Sequence, residues 1–380
     1  MPWWLVALFA ASFIFYTDDY VIAGVLPELA HDLHVGQAAA GQLVTIFAVT
    51  VAIVAPVAGV VLARVARRTL LVTSMCVFVA ANCGAALTPS FDVLMVLRVV
   101  AAGAAATATP SLFATAIQRA PDGKAGRYVA VVTLGVTGSI AVGVPIGTWI
   151  GGVFGWRATF ATMAIGGAVA LGGVLATFPR RLPTGATPDW RAQLHSLTRR
   201  TVGLGLLANV ALMTGSMMML TYLAPFLSDV STSGVDVRAL SFGLAGAAGM
   251  AGLWGGGVAT DHWGPDRALT IGVGVIAASM GCLWLMWVLR PVPLCALLPV
   301  LAIWGAAAFW NSPPIQARLA VASGPLAPQA MALNTSGTYL GVSLGGLLGG
   351  LALGTAGSGS LPPTAAAFAL LALLLVRMLR

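Results

Sequence analysis

"FYTDDYVIAGVLPEL", residues 15–29, places two adjacent aspartates inside an apolar run that begins at Trp3. The whole chain is 59% hydrophobic and 8% charged, whereas a soluble globular domain carries about 25% charged residues. One soluble core cannot bury so much apolar surface, so the excess must face lipid. The composition therefore predicts a polytopic membrane protein. A charged side chain in such a span costs free energy, so the presence of Asp18 and Asp19 requires an explanation.

Apolar segments long enough to cross a bilayer recur through the whole chain. About 20 residues suffice for a helix, and a helix satisfies its own backbone hydrogen bonds in lipid. The sequence therefore predicts an all-α membrane protein with twelve transmembrane helices. The predicted spans 1 to 12 cover residues 3–27, 39–63, 69–88, 92–117, 128–153, 158–178, 201–227, 239–260, 268–289, 293–316, 329–354 and 363–379.

The longest polar stretch divides the chain at its midpoint. Residues 179–200, PRRLPTGATPDWRAQLHSLTRR, contain proline, glycine and five arginines, a composition typical of a linker. We expect an N-terminal six-helix bundle at 1–178, a cytoplasmic linker at 179–200 and a C-terminal six-helix bundle at 201–380.

Glycines relate the two halves to each other at an offset of 198 residues. Two matched bundles predict a cavity between them, as in many secondary carriers. Small residues at every fourth position also let helices approach closely, so we expect Gly143, Pro145, Gly147 and Gly151 to act as packing or hinge positions in span 5. The matched glycines are Gly143, Gly147, Gly151 and Gly152 in span 5 and Gly341, Gly345, Gly349 and Gly350 in span 11.

Basic residues predict the orientation. If both termini lie inside, the outer loops hold only Arg157, Arg238 and Arg290, and the remaining loop arginines and Lys124 lie inside. This asymmetry predicts both termini in the cytoplasm. The excess of arginine over lysine and the abundant alanine are typical of a GC-rich bacterial genome, so we expect the bacterial inner membrane. The basic residues form no patch, so the net charge of +8 does not indicate a nucleic-acid partner. No basic segment precedes the first apolar run, which we interpret as a retained span.

Cysteine and histidine do not indicate a metal or redox centre. The four cysteines lie in or beside apolar segments without a Cys-x-x-Cys pair, and we interpret them as packing residues. Glu28, His31, Asp32 and His34 are close in sequence, but we interpret them as a solvated loop. We expect no metal and no cofactor.

Five stretches carry motifs in the expected spans. TDDYVIAGVLPELAHDL (17–33) has a Thr-x-acidic-aromatic group followed by Gly-x-Leu-Pro, and GVVLARVARR (59–68) follows span 2. LRVVAAG (97–103) puts an arginine in span 4, GVPIGTWIGGVFGWRATF (143–160) ends span 5 with Gly-Trp-Arg, and LNTSGTYLGVSLGGLLGG (333–350) covers span 11. Together they resemble the major facilitator superfamily, most closely its twelve-span drug:proton antiporter branch with the bacterial drug- and sugar-efflux permeases.

The loop between spans 2 and 3 departs from the family pattern. Ala63 stands where the family motif has an aspartate of the cytoplasmic gate, whereas the matching stretch GVATDHWGPDR (257–267) keeps Asp261. The resemblance implies a gate that relies on the C-terminal half or is weaker on the N-terminal side. The arginines here can equally be solvated topology signals. The candidate gate residues are Arg64, Arg67, Arg68 and Asp261.

Three ionisable side chains, Asp18, Asp19 and Arg98, lie well inside the predicted spans. Each costs about 2.5–3.5 kcal/mol at a helix centre, so each should face a cavity or a partner. Asp19 and Arg98 are expected at matched depth, about 10 Å below the outer ends of spans 1 and 4. Neighbouring residues differ by about 100° around a helix, so the two aspartates cannot face the same way. Asp19 matches the acidic position of the family motif and is the candidate that faces the cavity.

These three residues are the proton-coupling candidates, with Asp19 as the proton carrier. Apolar surroundings strengthen proton binding by a carboxylate, and a nearby arginine weakens it. A change in the distance to Arg98 would therefore couple proton binding to the inward–outward equilibrium. The alternative is a static Asp–Arg pair that only locks spans 1 and 4 together.

The family topology implies that spans 1, 4, 7 and 10 line the substrate cavity. A wall rich in aromatic residues and methionine suits bulky amphipathic molecules, although ordinary bundle packing explains many of these residues singly. The candidate lining residues are Tyr16, Thr107, Asn209, Met213, Met217, Tyr222, Trp304, Phe309, Trp310 and Asn311.

Other functional classes fit the sequence less well. The sequence has no Gly-x-x-x-x-Gly-Lys-[Ser/Thr] loop, which an ATP-driven pump needs. It also has no filter ring of the kind that channels use and no catalytic cluster that would indicate a membrane enzyme. We therefore expect a transporter and not an enzyme. The expected protein is a monomeric antiporter that uses the proton gradient to export a drug-like or amphipathic compound, as in multidrug efflux and antibiotic resistance. The alternatives are a proton-coupled carrier of a sugar or nucleoside, in either direction, and a receptor on the same fold.

Overall fold

The computed structural model describes residues 1–62, 65–178, 200–231, 234–324 and 327–378. The regular secondary structure of these residues is entirely helical, with twelve helices long and apolar enough to cross a membrane. The twelve are α1 (Trp3–Asp32), α2 (Gln37–Val61), α3 (Arg67–Leu87), α4 (Phe91–Gln118), α5 (Ala125–Phe154), α6 (Trp156–Thr177), α7 (Arg200–Thr221), α8 (Val235–Trp263), α9 (Pro265–Val288), α10 (Leu294–Ser323), α11 (Ala330–Ala356) and α12 (Ser358–Arg377).

The helix ends gather at two faces of the bundle. We call the face at which α1 begins and α12 ends the terminal face, and the face at which α1 ends and α12 begins the distal face. The predicted linker at 179–200 lies outside the described residues except for Arg200, the first residue of α7.

The twelve predicted spans are all present, and the differences concern their ends. Helix α1 continues through Pro27 to Asp32, because a bundle can satisfy the backbone carbonyl that a proline leaves free. Span 7 breaks at Tyr222, and a short helix, Leu223–Val230, follows it. Helix α5 contains a π-helical turn at Ser139–Gly143, a local widening that proteins often place at functional sites.

The outside of the bundle is apolar. Large side chains such as Trp254, Val169 and Ile53 are more than half exposed, as expected where lipid replaces water. All four cysteines are unpaired and exposed. Their interpretation as packing residues was wrong, because their helix positions face outward.

The described residues build two hydrophobic cores of different extent. One lies within the N-terminal half towards the terminal face, with Leu8 and Leu112 among its members. The other is shared, because Leu26 and Leu43 of the N-terminal half join Met218 of the C-terminal half. The apolar contact between the halves is therefore concentrated towards the distal face.

Glycines let α5 pack directly on α1. A methyl group at Gly143, Gly147 or Gly151 would overlap Thr17, Val21 or Val25 respectively. The spacing of four residues repeats on both helices, which places all three contacts on one stripe. The 198-residue match recurs here in three dimensions, because Gly341, Gly345 and Gly349 of α11 pack in the same way on α7.

Tyr222 occupies a glycine-lined socket where the halves meet near the distal face. A methyl group at Gly41 of α2, or at Gly349 or Gly350 of α11, would collide with its ring or its hydroxyl. The side chain is fully buried, and its hydroxyl donates to the Gly346 carbonyl at 2.7 Å. One tyrosine thus fits between a helix of each half.

An ion pair also crosses between the halves at this face. Arg238 of α8 pairs with Glu28 of α1, and the two side chains are 11% and 26% exposed. A second ion pair at the same face, between Asp32 and Arg157, joins α1 to α6 within one half. The distal face is therefore closed by charge as well as by packing.

Candidate functional site

Asp18 and Asp19 of α1 face different neighbours. The Asp18 carboxylate accepts a hydrogen bond from an Arg98 guanidinium nitrogen at 2.8 Å, and a second nitrogen donates to the Asp18 carbonyl at 3.0 Å. Both side chains are at most 1% exposed, and the guanidinium lies 4.2 Å from the centre of the Phe47 ring. The pair ties α1 to α4 and α2.

The expected partnership of Arg98 with Asp19 is therefore not the one that the structure has. The arginine reaches the neighbouring carboxylate because rotation by one residue turns Asp18, and not Asp19, towards α4. The static Asp–Arg pair considered from the sequence exists, but it uses Asp18.

Asp19 lies in the wall of a cavity between the two halves. The cavity is built by α1, α2 and α4 of one half and by Thr335 and Tyr339 of α11 in the other, and its volume is 60 Å³. This volume holds about four water molecules. Pro110 and Thr335, which lie nearer the terminal face, are both exposed. The cavity extends in that direction.

The Asp19 carboxylate has one protein partner and one open oxygen. The Tyr339 hydroxyl donates to Oδ2 at 3.2 Å, and Oδ1 is buried with no hydrogen-bond partner among the described residues. Asp19 belongs to α1 and Tyr339 to α11, so this hydrogen bond spans the two halves. A buried carboxylate with an open oxygen can take up a proton.

Three tyrosines surround this carboxylate. Tyr16 lines the cavity and interacts with Tyr339. Tyr20 is close enough to Asp19 for an electrostatic interaction with its carboxylate. Tyr20 and Tyr339 were not among the sequence candidates, although both lie in the quoted motifs of spans 1 and 11. The spacing of Tyr16, Asp19 and Tyr20 on one helical face was the available signal for Tyr20.

Comparison with known proteins establishes the class of this molecule. A family model described as "Major Facilitator Superfamily" matches residues 8–327. The chain belongs to this superfamily. It is therefore a multi-pass membrane transporter of the facilitator type, with a small-molecule substrate.

Facilitator relatives match over nearly the whole chain. A "Chloramphenicol resistance protein" of Streptomyces lividans is 30% identical over 99% of this chain and 95% of its own length. The "Inner membrane transport protein YdhP" of Escherichia coli O157:H7 is 30% identical over 98% of this chain and 95% of its own. A solved bacterial homologue of the human lysosomal transporter Spinster, in an inward-facing and unoccupied conformation, has a TM-score of 0.76, 18% identity and coverage of 99% and 96%.

The predicted lining residues of this facilitator fall into separate places. Tyr16 lines the cavity with Asp19, whereas Met217, Trp304 and Phe309 line a second, smaller void in the C-terminal half. Tyr222 lies in the distal socket, away from both. It was expected in the cavity because span 7 was taken to run past it unbroken.

The remaining lining candidates contact a neighbouring helix or their own helix rather than a cavity. Asn209 donates to the Thr338 hydroxyl at 2.9 Å, and the Trp310 indole donates to the Ala268 carbonyl at 2.9 Å. Asn311 donates to its own helix at 2.9 Å, and its amide oxygen is buried with no hydrogen-bond partner among the described residues. Thr107 donates to the Gly103 carbonyl of its own helix, and Met213 packs on Gly341.

Among the described residues, the predicted facilitator gate forms no ion pair between its two halves. Arg64 and Ala63 lie outside the described residues, and Asp261 is exposed and forms no ion pair with Arg67 or Arg68 within the described ranges. The ion pair near the terminal face is instead Arg318 with Asp266, inside the C-terminal half.

The span 5 candidates divide between two neighbours. Gly143, Gly147 and Gly151 pack on α1 within their own half, and Pro145 contacts Gly243 of α8 in the other half. Helix α5 therefore packs closely on α1 and presents its other side to α8 of the other half.

Proposed function

We propose that this facilitator exchanges protons for a small, amphipathic organic compound, and that Asp19 carries the proton. The observation that carries the proposal is the position of this carboxylate. It lies between the halves, one of its oxygens has no hydrogen-bond partner among the described residues, and the nearby Arg98 pairs with Asp18 instead.

The coupling follows from the energy of burying charge. Switching from one access state to the other requires the cavity to close around Asp19. Asp19 is already buried, and closure on its bare carboxylate removes the remaining solvation from the cavity, which costs several kcal/mol. A proton removes this charge, and a substrate that donates to the open oxygen shields it. The empty, charged protein therefore switches slowly, and each loaded form switches fast, which is the condition for exchange.

Tyr339 makes this carboxylate sensitive to the relative position of the halves. Its hydroxyl stabilises the charged form of Asp19 across the interface, and a rocking movement changes that distance. Proton binding and access are therefore linked in both directions, as linkage requires.

The direction of transport rests on orientation. Basic residues are concentrated at the terminal face, which supports its assignment to the cytoplasm. The closed distal face and the cavity that extends towards the terminal face then correspond to an inward-facing protein, ready to take cargo from the cytoplasm. Export against inward proton flow fits this arrangement.

The cavity wall favours an amphipathic cargo. Phe15, Phe47 and Val51 provide apolar surface around a single free carboxylate. A compound with an aromatic or aliphatic body and a hydrogen-bond donor matches these groups. The name of the chloramphenicol resistance relative supports an antibiotic-like substrate, and chloramphenicol is the first compound to test.

Proteoliposomes with an internal pH dye and an imposed pH gradient test the proposal. Chloramphenicol, other drugs, sugars and nucleosides are added in turn to the wild-type protein, and substrate-driven proton movement is recorded. We expect a drug-like compound to drive proton flux in the wild type and not in Asp19→Asn. Tyr339→Phe should retain flux with an altered pH dependence.

Asp92→Asn is the matched control, because Asp92 is an exposed acid at the start of α4. Thermal unfolding verifies that each variant is folded. Unchanged proton coupling in folded Asp19→Asn would overturn the assignment of the carrier. Flux with sugars or nucleosides alone would favour the metabolite carrier and overturn the drug-like substrate class.

A further inference from the structure

A second void lies between α7, α8 and α10 of the C-terminal half, apart from the Asp19 cavity. Met217, Leu220 and Phe309 form its apolar wall, and Ser216 and Trp304 are its polar residues. Its free volume of 10 Å³ is about that of one water molecule. It is an apolar hollow with two polar groups.

Neither polar group has a hydrogen-bond partner in the part of the chain that the structure describes. The Ser216 hydroxyl and the Trp304 indole nitrogen are buried with no hydrogen-bond partner among the described residues, and each side chain is 2% exposed. Ser216 differs in this from Thr214 on the same helix, whose hydroxyl donates to the Val210 carbonyl at 2.8 Å. Buried polar groups are nearly always paired, so an unpaired donor in a cavity wall indicates a missing acceptor. Here two such donors share one void.

The void is covered by the other half of the protein. Ile140, in the π-helical turn of α5, is its one lining residue from the N-terminal half. A methyl group at Gly246 of α8 would press against the Ile140 carbonyl, so the cover lies close. Relative movement of the halves would shift Ile140 and enlarge the void.

We propose that this void, which we call the Ser216–Trp304 subsite, binds an uncharged hydrogen-bond acceptor of the substrate, such as a nitro, carbonyl or ether oxygen on an apolar body. An anion is disfavoured because none of the described residues that line the void is cationic. A donor group is disfavoured because the indole N–H can only donate. The inference rests on the proposed function and specifies its substrate class.

Equilibrium binding in detergent at one fixed pH, with no gradient, tests the subsite separately from proton coupling. Two ligands of the same shape are compared: chloramphenicol, whose aromatic ring carries a nitro group, and its analogue with isopropyl in place of nitro. The variants are Ser216→Ala and Trp304→Phe. Ser279→Ala is the matched control, because Ser279 is a buried serine of α9 that donates to its own helix.

We expect each variant to weaken chloramphenicol binding about fivefold, the value of one neutral hydrogen bond, and to leave the isopropyl analogue unchanged. Ser279→Ala should bind both ligands like the wild type. Equal weakening of both ligands, no weakening of either, or no binding to the wild type would overturn the subsite. Unchanged affinities would mean that the void holds a structural water only.

The two proposals fail in different experiments. If Asp19→Asn keeps its proton coupling while the two variants still discriminate between the ligands, the carrier assignment is wrong and the subsite stands. If coupling is lost in Asp19→Asn but the variants do not discriminate, the subsite is wrong and the exchange mechanism stands.

Discussion

The ion pair between Glu28 and Arg238 makes a quantitative prediction about which face is open. Two unit charges about 4 Å apart attract by about 4 kcal/mol at an effective dielectric constant of 20. Partial desolvation and side-chain ordering offset most of this, and the side chains here are 26% and 11% exposed. A net contribution of about 1.4 kcal/mol, above the range of fully exposed pairs, corresponds to a tenfold change in an equilibrium constant.

Because the pair joins the two halves only while the distal face is closed, Glu28→Gln should raise the ratio of distal-open to distal-closed protein about tenfold. Thr45 provides the readout, since it packs against Gly346 of the opposite half. Thr45→Cys is introduced into a variant without the four native cysteines, and this protein is treated with a membrane-impermeant maleimide. We expect its labelling rate to rise about tenfold with Glu28→Gln, because labelling follows the open fraction.

Asp32→Asn is the control for this experiment. The Asp32–Arg157 pair lies at the same face, but it connects two helices of one half. Its loss should leave the labelling rate unchanged. The reasoning is refuted if Glu28→Gln has no effect, or if Asp32→Asn accelerates labelling to the same extent.

Three further predictions concern stability, measured by thermal unfolding of the purified protein. Arg98→Leu should lower the free energy of unfolding by about 3–5 kcal/mol because it leaves the Asp18 carboxylate buried and unpaired. Adding Asp18→Asn should restore part of this loss. If the two substitutions instead lower the free energy of unfolding additively, the prediction is wrong. Gly147→Leu should cost about 1–3 kcal/mol by overpacking, whereas Gly172→Leu, which meets open space, should be close to neutral. Tyr222→Phe keeps the shape of its socket and should lose about 1 kcal/mol, the value of one hydrogen bond; wild-type stability would show that the bond contributes nothing.

Local composition was sufficient for the architecture, because each bilayer-crossing helix needs only a long enough apolar run. It was less reliable at the ends of helices. Pro27 was taken as a helix end, but the bundle around α1 tolerates the proline and the helix continues to Asp32. Tyr222 was taken as part of a continuous span, but the helix ends there and the tyrosine ring lies in the distal socket.

The site was only partly accessible from the sequence. Helix periodicity separated Asp18 from Asp19, and that separation exists in the structure. The partner of Arg98 depends on how α1 and α4 are rotated against each other, which no local pattern encodes. Tyr339 lies 320 residues from Asp19, so its role depends on the packing of the two halves and could not be read from span 11 alone.

The uneven distribution of the two cores has a consequence for the idle protein. Parting the halves at the distal side exposes to water the apolar residues that they share there, at about 25 cal/mol per Å², whereas parting them at the terminal side leaves the separate N-terminal core intact. This difference favours a state in which the halves stay in contact at the distal face and separate at the terminal face. Cooling weakens this bias, because the hydrophobic contribution fades at low temperature.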